Sequence, residues 1–106
     1  MNAYYKGDDI LINGLGANRN FPSDDGIDVS DVIHKYFSVG GVWGGATIVG
    51  QRWDGKGWKD QPTSSLTADG EKTEYPPGNY TKWRFNVSGA TATTALVLQY
   101  RLRQAA

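Results

Sequence analysis

His34 is the only histidine of this chain, and Asp28 and Asp31 lie just before it. A histidine oriented by a carboxylate is the working part of a general-base site. No nucleophile motif accompanies the three residues, so the carboxylates read as the polar face of an element. Asp8-Asp9 and Asp24-Asp25 read as paired carboxylates in loops, whose oxygens could gather around Ca²⁺. Neither pair has the alternating Asp spacing with its central Gly, so both read as solvated charge. Gly14-Leu15-Gly16 and Gly40-Gly41 lack a following Gly-Lys-Ser/Thr and cradle no phosphate. Aromatic residues make the strongest chemical claim. Trp53 and Trp58, with Trp43, Tyr75, Tyr80 and Trp83, could form a platform on which sugar rings stack, or else fill a core or an assembly interface.

Composition narrows these options. A chain of 106 residues makes one domain with one core. Its 14 glycines are about twice the roughly 7% average and follow no collagen-like period, which suits a fold rich in turns. Lys plus Arg and Asp plus Glu are 11 each, so no basic field gathers phosphate and no nucleic-acid partner is expected. The absence of cysteine removes disulfides, thiolate chemistry and Cys-ligated zinc. The N-terminus has no basic start followed by an apolar run, and no segment approaches membrane-spanning length. The expectation is a protein made in the cytoplasm, with no membrane partner, no cofactor, no metal and no catalytic residues.

The elements that must hold the aromatics are strands. Ala46, Ile48, Gly50 and Arg52 alternate with Thr47, Val49, Gln51 and Trp53 within a strand over residues 42–53. Asp54-Gly55-Lys56-Gly57 turns the chain and sets Trp58 opposite Trp53. Asp69-Gly70 marks a second turn, and Pro76-Pro77-Gly78 marks an edge or a stop. Trp83, Phe85 and Val87 face one way, against Lys82, Arg84, Asn86 and Ser88. Leu96, Leu98, Tyr100 and Leu102 alternate likewise, and the two runs are expected to be sheet neighbours. This parity buries Trp83 and leaves Trp58, with one of Trp43 or Trp53, for the surface, so packing and interface roles outweigh a sugar platform.

The front of the chain is less regular. Ile10-Leu11-Ile12 makes a short strand closed by Asn13-Gly14, and residues 15–26 make a long loop with Phe21 as its large apolar anchor. Val29, Val32, Ile33 and Tyr36 fit a helical stripe, while the β-branched residues of 27–37 favour a strand; both readings stand. The expected fold is all-β, a small antiparallel β-sandwich or jelly-roll-like barrel. Residues 1–26 form an N-terminal arm, short strand and loop, and residues 27–106 form the sandwich body.

The order Val-Trp-Gly-Gly-Ala-Thr-Ile at 42–48, the Trp-bearing Asp-Gly hairpin, Leu-Thr-Ala-Asp-Gly at 66–70, Pro-Gly-Asn-Tyr at 77–80, Arg84, Val-Ser-Gly-Ala-Thr at 87–91 and a closing Arg-Leu-Arg resembles small virion structural proteins of tailed bacteriophages. The resemblance spans about residues 41–103. It implies a β-sandwich with a structural role and carries over no catalytic residue. The expected function is therefore a non-enzymatic capsid decoration or cement protein, localised to the virion. Its partner would be the major capsid protein or another virion protein, with self-association into a dimer or trimer. Tyr4, Tyr5, Arg19, Phe21 and Trp58 are the candidate partner-binding residues. A phage tail or baseplate component and a carbohydrate-binding module are the alternatives, so a glycan is the lesser candidate partner.

Overall fold

Alternate residues of the apolar runs turn inward and must meet a second layer, because a strand buries a whole face only against another sheet. The computed structural model describes residues 4–74 and 81–104. Nine strands are present among them: β1 (Tyr4–Asn13), β2 (Asn20–Phe21), β3 (Ile27–Asp28), β4 (Val32–Val42), β5 (Thr47–Trp53), β6 (Trp58–Leu66), β7 (Gly70–Glu74), β8 (Lys82–Ser88) and β9 (Ala95–Gln104). They form two antiparallel sheets. Sheet A has the order β1-β9-β4-β7, and sheet B has the order β2-β8-β5-β6 with β3 also on β8.

β2 and β3 act as one interrupted edge strand, since Phe21 pairs with Phe85 and Ile27 with Trp83 along the same side of β8. The pairings β1·β9, β2/β3·β8, β4·β7 and β5·β6 are then successive sections of one long hairpin whose tip is residues 54–57. Rolling it up brings β9 against β4 and β8 against β5. This is the jelly-roll arrangement of two packed sheets.

The core lies between the sheets. Ile12, Phe37, Val39, Leu96, Leu98 and Leu102 of sheet A meet Phe21, Ile48, Trp83, Phe85 and Val87 of sheet B, all essentially solvent-free. Phe37 bridges the layers, its ring centroid 5.8 Å from Trp83 and 4.9 Å from Phe85. Lys35 is also fully buried, with its ammonium 5.4 Å from the Trp83 ring, a cation–π distance.

Several expectations change. The run at Trp83 and the run at Leu96 lie in opposite sheets and face one another across the core, as the 6.0 Å approach of Phe85 to Tyr100 shows. Two inward-facing runs of this kind can be layers as readily as neighbours. The Asp69-Gly70 turn likewise crosses from sheet B to sheet A. The strand expected over 42–53 begins at Thr47, because residues 43–46 form a tight crossover closed by the Ala46 amide on the Trp43 carbonyl.

Residues 27–37 form β3 and the start of β4, joined by a turn over residues 29–31. The helical spacing of Val29 and Val32 comes from a single turn, in which the Val32 amide donates to the Val29 carbonyl, followed by a β-bulge between Val32 and His34. The front of the chain is more regular than expected. β1 runs ten residues and pairs with β9 throughout, its alternation masked in sequence by the polar Lys-Gly-Asp-Asp step. The 15–26 segment is tied down by a 3₁₀ turn at Leu15–Ala17 and by buried Ala17 and Phe21. Pro76-Pro77-Gly78 lies outside the described residues.

Gly41, at φ 132° on β4, sits where a Cβ would collide with the Ala95 carbonyl oxygen of β9. A side chain there would force the central pairing of sheet A apart.

Two predictions follow from this packing. Phe85→Ala removes a ring that Phe37, Trp83 and Tyr100 all approach, and should cost about 3–5 kcal/mol in urea unfolding with an unchanged m-value. The hairpin tip should be acid-sensitive. Asp54 Oδ1 accepts from the amides of Lys56 at 2.8 Å and Gly57 at 2.9 Å, and these two bonds hold its carboxyl below the usual carboxylate range. A depressed folded value contributes stability that is complete above the unfolded value, near pH ~4, and is lost as pH falls through the folded one. Asp54→Asn should therefore show a smaller loss of denaturant midpoint between neutral and acid pH than the parent chain.

Candidate functional site

The outer face of each sheet is set by the same alternation that fills the core. On sheet B, outward residues form cross-strand rows: Asp28, Lys82, Trp53 and Trp58 in one, then Arg84, Gln51 and Asp60 in the next. The 54–57 turn pairs Trp53 with Trp58, and their rings meet edge to face at 5.6 Å. Both indoles are half-buried.

Trp58 is held from two sides. The Arg84 guanidinium lies over its ring, 4.0 Å from the centroid. Gly26 meets its far edge, where a Cβ would come within 2.8 Å of the indole and 2.7 Å of the Trp83 carbonyl. At φ 72°, Gly26 has a backbone that side chains resist, so the β2–β3 loop approaches the indole because no side chain intervenes.

Arg84 is itself positioned by Gln51 and by the loop. Its Nε donates to Gln51 Oε1 at 2.8 Å and its Nη1 to the Asp24 carbonyl at 2.6 Å, while Gln51 Nε2 donates to Asp60 Oδ1 at 2.8 Å. Partial burial pulls Arg84 below its ordinary value and Asp24 opposes this; a guanidinium stays charged regardless. Lys82 Nζ stands 5.8 Å from the Trp53 centroid.

Beside Trp58 opens a cleft of about 540 Å³ lined by Asp25, Gly26, Asp28, Ser30, Thr81 and Lys82. The amide of Ser30 at 2.9 Å and its hydroxyl at 2.7 Å both donate to Asp28 Oδ1. These bonds hold the Asp28 carboxyl below its usual range, with smaller help from Lys6 and Lys82. It is therefore a carboxylate at neutral pH.

Sheet A presents a different surface. Leu11 pairs with Val97, Val97 with Gly40, and Val42 with Ala95, which gathers one apolar patch. Leu11 is 68% exposed, Val42 55% and Val97 40%. Toward the other end of the sheet the rows become polar. Arg101 pairs with Asp9 at 3.3 Å and the Tyr36 hydroxyl donates to Glu71 at 2.9 Å. Among the described residues β1 is an edge strand, pairing with β9 alone.

The five candidate partner-binding residues do not come together. Tyr4 and Tyr5 open β1, paired with Gln104 and Arg103. Phe21 is 3% exposed and belongs to the core, so its expected contact with a partner is withdrawn. Arg19 lies over it, 4.5 Å from the ring centroid. Trp58 stands on sheet B. Of the other aromatics, Trp43 is tied into the 43–46 crossover by its Nε1 bond to Asp69 Oδ1 at 2.7 Å; Tyr75 and Tyr80 lie outside the described residues.

Asp31 binds Lys6 and Gln104, and Asp28 binds Ser30, while His34 stands opposite Arg103. The apolar patch was missed because Leu11, Val42 and Val97 come from three strands of unknown register. Arg84 and Lys82 were legible as outward residues of β8, but their partners were not.

No protein-family model matches the chain, and no curated protein matches its sequence. The fold is similar to solved structures. The SPBc2 prophage-derived protein YomS aligns with a TM-score of 0.63 at 11% identity, covering 98% of this chain and 98% of that one. The Yersinia pseudotuberculosis-derived mitogen YPM aligns with a TM-score of 0.57 at 12% identity, covering 94% of this chain and 86% of that one. At such identities the shared property is the fold, an all-β sandwich preserved over nearly the whole chain.

Proposed function

We propose that this chain is a non-enzymatic structural protein of a tailed-phage particle, bound to the shell as a decoration or cement subunit through the outer face of sheet A. The observation that carries the reading is the apolar patch of Leu11, Val42 and Val97, set around Gly40 and Ala95. The whole-length likeness to a prophage-derived fold and the order of turn motifs over residues 41–103 support the phage setting. The non-enzymatic part is supported by the carboxylates near His34, which engage Ser30, Lys6 and Gln104.

The mechanism is many weak contacts made at once. The folded chain exposes 5787 Å², so contributing about 800 Å² to a standard interface takes roughly a seventh of it. One sheet face can supply that area. The edge of β1, with Tyr4 and Tyr5 at its start, extends the surface toward a neighbouring subunit. Pairing along this edge would make a dimer or trimer, whose repeated contacts add avidity and help the shell resist outward pressure.

The double substitution Leu11→Asp with Val97→Asp places charge in the patch without touching the core. It should lower binding to purified shells at least about tenfold, the effect of about 1.4 kcal/mol, while the melting temperature stays near that of the parent. Quantitative gel densitometry of particles checks this and sets the position: hundreds of copies indicate the capsid lattice, six or twelve a tail ring. Particles that carry none of the protein, or a variant that binds like the parent, would refute the reading.

A further inference from the structure

We infer that the outer face of sheet B carries a saccharide-binding site, in which Trp58, laid on Arg84, is the stacking surface and the adjoining cleft supplies the hydrogen bonds. This goes beyond the proposed structural role and rests on the opposite face of the molecule.

Three observations carry it. The first is that the two indoles are surplus to the core. The sandwich interior is closed by Phe37, Trp83 and Phe85, yet Trp53 and Trp58 remain half-exposed on the outside of the sheet, where bare apolar area stays in contact with water. The second is that Trp58 is held in place before any ligand arrives. Its ring is stacked on a guanidinium that Gln51 and the Asp24 carbonyl hold in turn, and its far edge abuts Gly26. A rigid aromatic plane loses little side-chain freedom on binding, which favours the weak C–H contacts of a sugar ring.

The third is the chemistry of the cleft. At about 540 Å³ it lies within the range of small-ligand sites, roughly 300–1,000 Å³. The carboxylate of Asp25, the hydroxyl of Thr81 and the ammonium of Lys82 line it and make no hydrogen bond or ion pair among the described residues. Asp28 adds a carboxylate that Ser30 keeps oriented. Donors and acceptors are thus mixed at close quarters, as vicinal hydroxyls require, since each hydroxyl both donates and accepts.

Charge selects among ligands of this size. The carboxylates Asp24, Asp25 and Asp28 and the cations Lys6, Lys82 and Arg84 are interleaved around the site, so no field of one sign draws a phosphate polymer or a basic peptide. A neutral or N-acetylated oligosaccharide matches the balance.

The purified full chain is tested on an array of neutral, N-acetylated, sialylated and sulfated oligosaccharides, and a retained sugar is then titrated against intrinsic tryptophan fluorescence. Retention of at least one neutral or N-acetylated oligosaccharide is expected, with affinity falling tenfold or more in Trp58→Ala and severalfold in Lys82→Ala and Asp25→Ala. The last two replace exposed side chains, so they keep the test valid should Trp58→Ala loosen the hairpin. No retention by the folded chain, retention of sulfated or sialylated sugars alone, or retention that all three variants preserve would each overturn the inference. The Leu11→Asp/Val97→Asp chain should titrate like the parent, which separates failure of this site from failure of the docking surface.

Discussion

The contact of Phe37 with Trp83 and Phe85 is the interaction on which the rest of the molecule depends. It joins the middle of sheet A to the middle of sheet B, with centroid separations of 5.8 and 4.9 Å. A long hairpin with one apolar face has no stable flat form in water, since that face stays wet until it meets another. Rolling the hairpin so that β4 covers β8 buries both halves of that face at once. The inward positions of β9 and β5 are then committed as well, because each is paired to one of these two strands. Even Lys35 fits this scheme, its stem packed inside the sandwich and its charge held near the Trp83 ring.

Strand alternation turns this single burial event into two distinct surfaces. Once Trp83, Phe85 and Val87 face inward, Lys82, Arg84 and Asn86 have no choice but the outside of sheet B, and Gln51 and Trp53 follow through the β5–β8 register. On sheet A the same rule sends Val97, Gln99 and Arg101 outward beside Leu11, Asp9 and Gly7. The faces differ because their sequences differ at the outward positions. One collects aliphatic side chains near the β1 turn, and the other collects indoles beside charged and amide groups.

Legibility in the sequence followed the range of the interactions. Parity within a strand is local, so the inward roles of Trp83, Phe85, Val87, Leu96, Leu98 and Leu102 and the facing of Trp53 with Trp58 were readable in advance. Pairing between distant segments was not. Nothing local distinguishes β8 and β9 as opposing layers from β8 and β9 as sheet partners, and the choice depends on β4 and β5 intervening. β1 was hidden for a related reason. Lys6 and Asp8 occupy positions of inward parity and apolar Leu11 an outward one, which breaks the alternation that marks a half-buried strand, and the identity of β1 rests on ten residues of pairing with the far end of the chain. Val29 and Val32 misled in the opposite direction, since one turn and a bulge imitate helical spacing over a short stretch.

The candidate site was less legible than the fold, because it depends on a glycine and on side chains that cross between rows. Trp58 announced itself by its place in an Asp-Gly hairpin. Its orientation comes from Arg84, which is twenty-six residues away and reaches across the β5 strand, and from Gly26, which sequence presents as one more loop residue. The cleft needs the β2–β3 interruption: the five residues 22–26 stand opposite the single position Arg84 of β8, so they loop away from the strand, and without that loop Arg84 would have no Asp24 carbonyl to reach. The break in the edge strand thus does two things at once. It ends an exposed edge that could otherwise pair with another chain, and it lifts Asp24, Asp25 and Gly26 to the height of the indole. The edge of β1 in sheet A has no such interruption over its ten residues, so the two sheets present unlike edges as well as unlike faces.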